Sequence, residues 1–232
     1  MNQKIVIFLL LSGLVCSCNR VVQGQSAGKV HERPPNIILI MADDLGHEAI
    51  HCYGGTSYQT PRIDDMAARG VKFNHCYSQP LCTPSRLKIM TGKSNFRNYE
   101  RWGYLNLNET TFAHILKSQG YKTAIAGKWQ LRGDAFAPYK AGFDDYLLWQ
   151  LTFTSYNERY KNPRVIRNGQ LEKYDDGAYG PQVFTDYIKE YIEVNRDEPF
   201  FIYYPMVLTH RPYVPTPDSE AYEAFKVSSS GD

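Results

Sequence analysis

The stretch Cys82-Thr83-Pro84-Ser85-Arg86-Leu87-Lys88-Ile89-Met90-Thr91-Gly92 sets a thiol close to a helix-opening signal and a guanidinium. Thr83 can cap a helix that begins at Pro84. Cys82 then sits just before a helix N-terminus, where unpaired N–H groups and the helix dipole favour an anion. Arg86, four residues on, returns to the same side. A reactive atom, an anion-binding helix end and a cation converge there, although a buried cysteine beside a helix cap gives the same local pattern. Asp43 and Asp44 are adjacent carboxylates. A hard divalent cation relieves their mutual repulsion, and a turn cap explains the same pair without a metal. Lys128 and His210 complete the chemically interesting set.

Each of these residues is expected at the end of an element. Residues 36–41 read N-I-I-L-I-M, a continuous apolar run that predicts a strand buried on both faces and running into Asp43-Asp44. Thr60-Pro61 opens a helix that Gly70 stops, and the alternation of residues 71–77 predicts a strand. Residues 109–119 and 181–194 carry apolar side chains at helical spacing. The apolar strands 122–126 and 200–207 lead into Lys128 and His210. Alternating strands and helices predict an α/β class with a largely parallel sheet flanked by helices. In such sheets the site lies outside the carboxyl ends of the strands, so three separate segments would deliver their ionisable residues to one edge.

The motif C-T-P-S-R, followed by Thr91-Gly92, resembles the signature of the type I, formylglycine-dependent sulfatases of the alkaline-phosphatase-like superfamily. The resemblance extends to P-N-I-I-L-I-M-A-D-D-L-G at 35–46, T-P-R-I-D at 60–64, G-Y-K-T-A-I-A-G-K-W at 120–129 and T-H-R-P at 209–212, in the order expected for that family. It implies an α/β/α sandwich and a sulfuric ester hydrolase acting on a sulfate ester, with sulfated carbohydrate as the expected substrate class. A maturation enzyme would oxidise Cys82 to formylglycine, whose hydrate supplies the nucleophilic oxygen. Asp43, Asp44 and the modified Cys82 would bind Ca²⁺ or Mg²⁺. Arg86 would hold the formylglycine, Lys128 would contact it or the sulfate, and His210 would contact the sulfate and help the departing alcohol.

Two departures from the family pattern stand out. The family usually reads G-K-W-H where this chain has Gln130, and glutamine does not serve as a base near neutral pH. No Asp-Asn or Asp-His pair, which in the family completes the metal shell, occurs in the chain. The expectation is therefore a partial catalytic domain over residues 36–232, truncated at its C-terminus, with little or no activity by itself. A phosphonate or phosphate ester hydrolase of the same superfamily, and an inactive sulfatase-like lipoprotein, are the alternatives.

The remaining features concern export. Lys4 and the short apolar run 5–15 resemble a secretory signal, too short to span a bilayer. Val15-Cys16-Ser17-Cys18 resembles a bacterial lipobox, which implies that 1–18 is a lipoprotein-type signal with a lipid on Cys18 as membrane anchor, the alternative being an ordinary cleaved signal peptide with two incidental cysteines. Residues 19–35 read as a polar tether. Localisation is expected to be periplasmic or at the outer membrane. Export permits a Cys52–Cys76 disulfide, and two buried free thiols are an equal alternative. The net charge of +2 argues against a nucleic-acid partner. His47, His51, His75 and His114 are expected to be structural.

Overall fold

A computed structural model describes residues 33–152, 159–175 and 177–224. The signal-like segment 1–18 and residues 19–32 of the tether lie outside the described residues. The core is a six-stranded sheet in the order β1-β6-β2-β3-β4-β5. The strands are β1 (Ile37–Met41), β2 (Lys122–Lys128), β3 (Asp145–Trp149), β4 (Arg164–Arg167), β5 (Gln170–Lys173) and β6 (Phe200–Pro205). The first four in spatial order, β1, β6, β2 and β3, are parallel. The hairpin β4–β5 adds an antiparallel end. The helices are α1 (Pro61–Arg69), α2 (Cys82–Thr91), α3 (Asn95–Asn98), α4 (Phe112–Ser118), α5 (Ala137–Lys140) and α6 (Gly180–Val194).

Period-two alternation decides what each face of the sheet meets. Ile125, Phe201 and Tyr203 pack on one side with Leu87 and Met90 of α2 and Ala113 of α4. Their neighbours Ala124, Ala126, Phe200, Ile202 and Tyr204 pack on the other side with Phe184, Tyr187, Ile188 and Tyr191 of α6. Each large apolar side chain withdrawn from water in these layers contributes about 1.5–3 kcal/mol. The result is the expected helix–sheet–helix sandwich.

Three expectations are corrected. β1 is not buried on both faces: it ends the sheet, and Ile38 and Ile40 are 44% and 56% exposed while Ile37, Leu39 and Met41 pack inward. Residues 71–77 form no strand. Their alternation is real, but Val71, Phe73 and Tyr77 are exposed, and no sheet neighbour among the described residues supplies the ladder a strand needs. Helix α2 starts at Cys82 rather than Pro84, with Leu81 as its cap residue. Thr83 caps nothing, because its hydroxyl accepts a hydrogen bond from the Gly103 N–H at 3.1 Å.

Candidate active site

Parallel pairing carries β1, β6 and β2 to a common edge. The β1–β6 ladder runs past both strand ends: the Met206 N–H donates to the Met41 carbonyl, Asp43 N–H to Leu208 and Thr209 N–H to Asp43. These bonds fix Asp43 against the segment that delivers His210. On β2, Gly127 has φ +117°, and a Cβ there would lie 2.2 Å from the Pro205 carbonyl oxygen of β6. Only glycine lets the two strands close at this level, which explains the glycine of the G-K-W motif and sets the position of Lys128.

The charged side chains form two groups. In the inner one, Lys128 Nζ donates to Asp43 Oδ2 at 2.6 Å, and Arg86 NH2 stands 4.0 Å from Asp43 Oδ1. Lys128 and Asp43 are each only 2% exposed. Arg86 NH1 also donates to the Lys128 carbonyl at 2.7 Å, tying α2 to the end of β2. Two buried cations thus face one carboxylate. Burial pushes the Lys128 ammonium below its ordinary range and Arg86 adds to that push, while Asp43 opposes it. Arg86 Nε and NH2 are buried with no hydrogen-bond partner among the described residues, so the cluster holds donor capacity for an anion. In the outer group, His210 Nε2 lies 3.6 Å from Asp44 Oδ2, and His210 Nδ1–H donates to the Arg211 carbonyl at 2.8 Å.

Cys82 opens the ten-residue helix α2 and is half-buried. It lines one cavity of about 910 Å³ together with Asp43, Asp44 and Ser85. The structure therefore brings the six expected residues to one sheet edge, with Arg86 and Lys128 beneath Asp43 and His210 beside Asp44. Gln130 lies just past β2 in a left-handed backbone conformation (φ +54°), and its Oε1 is buried without a partner among the described residues.

The donors suit a hard divalent cation in kind but not in number. Such an ion takes about six to eight oxygen ligands, and among the described residues no group of three or more His, Cys, Asp or Glu is placed to hold a metal. Asp43 is moreover already engaged by Lys128. The residues present do not by themselves form a metal site.

Several residues acquire roles that sequence reasoning missed. Tyr160, 4% exposed, sets its hydroxyl within hydrogen-bonding reach of the Val207 and His210 carbonyls and so braces the His210 loop. Ser85 ties its helix to the preceding turn through Gln79 and Leu81. Nothing in the local sequence around Tyr160 signals a partner so far along the chain. His114 proves to be a capping-box residue with Thr111. Cys52 and Cys76 are free thiols, half-buried and exposed respectively, rather than buried. Trp149 and Tyr160 are core residues, and residues 153–158 between them lie outside the described residues.

A mixed α/β sheet with a helix-opening cysteine, paired carboxylates, two buried cations and a histidine at the carboxyl edge of its parallel strands has the architecture of the alkaline-phosphatase-like class. A sequence profile described as Sulfatase matches residues 35–231. The chain belongs to the sulfatase family, as a type I sulfatase of that superfamily. It is 41% identical over 152 residues to arylsulfatase D of Homo sapiens, covering 56% of this chain and 26% of the relative. It is 34% identical over 197 residues to N-acetylglucosamine-6-O-sulfatase of Bacteroides thetaiotaomicron, covering 82% of this chain and 33% of the relative. A solved structure of a protein in complex with its substrate D-glucosamine-2-N,6-O-disulfate superimposes with a TM-score of 0.70 at 32% identity, covering 80% of this chain and 36% of the other. The chain thus spans about a third of the length of such relatives.

Proposed function

We propose that this chain carries the reacting edge of a sulfate-ester hydrolase acting on sulfated carbohydrate, with Cys82 matured to formylglycine by a dedicated enzyme. The observation that carries the reading is the placement of Cys82 at the head of α2, in one cavity with Asp43 and Asp44 and within electrostatic reach of Lys128. The hydrated aldehyde at position 82 would supply the attacking hydroxyl. Arg86 and Lys128 carry one positive charge more than Asp43 neutralises, a field that favours the negative oxygens of a sulfuryl group. The free N–H groups at the start of α2 add to it. His210, whose ring is held by its bond to the Arg211 carbonyl and faced by Asp44, would give a proton to the departing alcohol. A Ca²⁺ or Mg²⁺ ion at Asp43 and Asp44 would need further oxygen donors and would have to draw Asp43 away from Lys128. The carbohydrate assignment is supported by the sequence relative whose name, and the solved structure whose ligand, specify glucosamine sulfates.

The test is sulfate release from an aryl sulfate and a 6-sulfated glucosamine by chain co-expressed with a maturation enzyme, in Ca²⁺. Release that disappears in Cys82→Ala is expected. It should be slow, because Gln130 is no base and the described residues do not complete a cation shell. Release unchanged by Cys82→Ala would overturn the reading.

A further inference from the structure

A second cavity, of about 440 Å³, lies against the chain that follows β6 and is lined by residues including Tyr160, Lys161, Asn162, Tyr179, Pro212 and Tyr222. Its size falls in the usual range for small-ligand sites, and its apolar walls with a few polar groups follow their usual composition. The walls are held from several directions. Lys161 and Tyr179 pair in an antiparallel bridge. The Asn162 N–H donates to the Ala178 carbonyl, and Asn162 Oδ1 accepts from the Gly177 N–H, both at 2.8 Å. The Gly180 N–H donates to the Tyr160 carbonyl at 2.8 Å. A cavity so braced is formed before any ligand arrives. The Tyr179 hydroxyl has no hydrogen-bond partner among the described residues and is shut off from water, so a polar group in the cavity meets it only when the ring turns toward the opening.

This cavity is joined to the reacting edge through one side chain. Tyr160, which lines it, also places its hydroxyl at the His210 carbonyl. We propose that the cavity is a subsite for a further sugar ring of a sulfated oligosaccharide, adjacent to the ring whose departing hydroxyl would face His210. The proposal rests on the sulfated-carbohydrate reading above. Tyrosine faces suit the C–H face of a pyranose. The Tyr179 hydroxyl and the Asn162 amide suit its hydroxyl groups, and the exposed Lys161 ammonium suits an acidic substituent.

The experiment follows the tyrosine and histidine ring signals of the full 232-residue chain by NMR, with tyrosines assigned through Tyr179→Phe and Tyr222→Phe. The probes are an N-acetylglucosamine dimer, its 6-sulfated form, 6-sulfated glucosamine and phenyl sulfate. The unsulfated dimer is expected to shift Tyr179 and Tyr222, in wild type and in Cys82→Ala alike. The sulfated dimer is expected to shift these and the His210 ring together. Lys161→Ala and Tyr222→Ala should each weaken the sulfated dimer about fivefold while leaving sulfated glucosamine unchanged. If neither dimer moves Tyr179 or Tyr222, or if phenyl sulfate moves them as strongly as the dimers, the proposal is overturned. If the dimers move these tyrosines but no sulfated sugar moves the His210 ring, the cavity stands as a sugar site and the substrate reading falls.

Discussion

Lys128 shows how one side chain can be both functional and structural. It is withdrawn from water, and Asp43 at 2.6 Å is what keeps its charge tolerable there. Removing one partner of a buried pair leaves the other uncompensated. Lys128→Met is therefore expected to destabilise the chain by roughly 3–5 kcal/mol, read as a shift in the urea midpoint. A loss below about 1 kcal/mol would mean that Arg86 neutralises Asp43 without help. That these six residues would meet at one sheet edge was legible in the sequence, because strand ends and a helix start are where an α/β sheet collects its chemistry. Their pairing was not. Arg86 was expected beside Cys82 from helical spacing, yet its guanidinium reaches inward to Asp43 and the Lys128 carbonyl. Which charge a long side chain meets depends on packing between elements that its own segment does not encode.

At the level of elements, the parallel strands and major helices could be read from apolar runs, because each has a dense face to bury. The strand expected at 71–77 could not be told from exposed extended chain, since alternation describes a pattern and not a partner. The junction of α4, β2 and β3 shows a link that no local pattern announces. Asp144 accepts from Lys117 at 2.5 Å and from the Thr123 N–H at 3.1 Å. Burial tends to raise this carboxyl's pKa, but these donors prevail and hold it below the usual aspartate range. A depressed folded pKa means stability present above the unfolded value and lost as pH falls through the folded one. Asp144→Asn should cost roughly 1 kcal/mol near neutrality, and the difference from wild type should shrink once the pH drops below about 4. Thermal melts across that range would show it, and a cost that stays constant into acid would refute it. β1 makes a different prediction, because its exposed Ile38 and Ile40 form an apolar strip on the end strand of the sheet. Such edges promote association. Ile40→Lys should reduce concentration-dependent self-association in sedimentation with little change in melting temperature, and an unchanged sedimentation profile would show that this strip is not the contact.

Across the whole molecule, the sandwich places α2 and its cysteine on one face of the sheet and α6 on the other, with the shared strand ends between them. This order was legible because it follows from parallel topology. The braced tyrosine cavity beside His210 was not, because it is assembled from segments around residues 160, 179, 212 and 222 that lie far apart in sequence. The account depends on Cys82 being a precursor rather than a thiol that stays a thiol. The tryptic peptide running from Phe73 to Arg86 contains Cys76 as well as Cys82, so each preparation carries its own control. After co-expression with a maturation enzyme and alkylation, mass spectrometry is predicted to find Cys76 alkylated and position 82 as an aldehyde, lighter than cysteine and reactive toward an aminooxy probe. A peptide alkylated at both Cys76 and Cys82, with no aldehyde at either, would contradict the account.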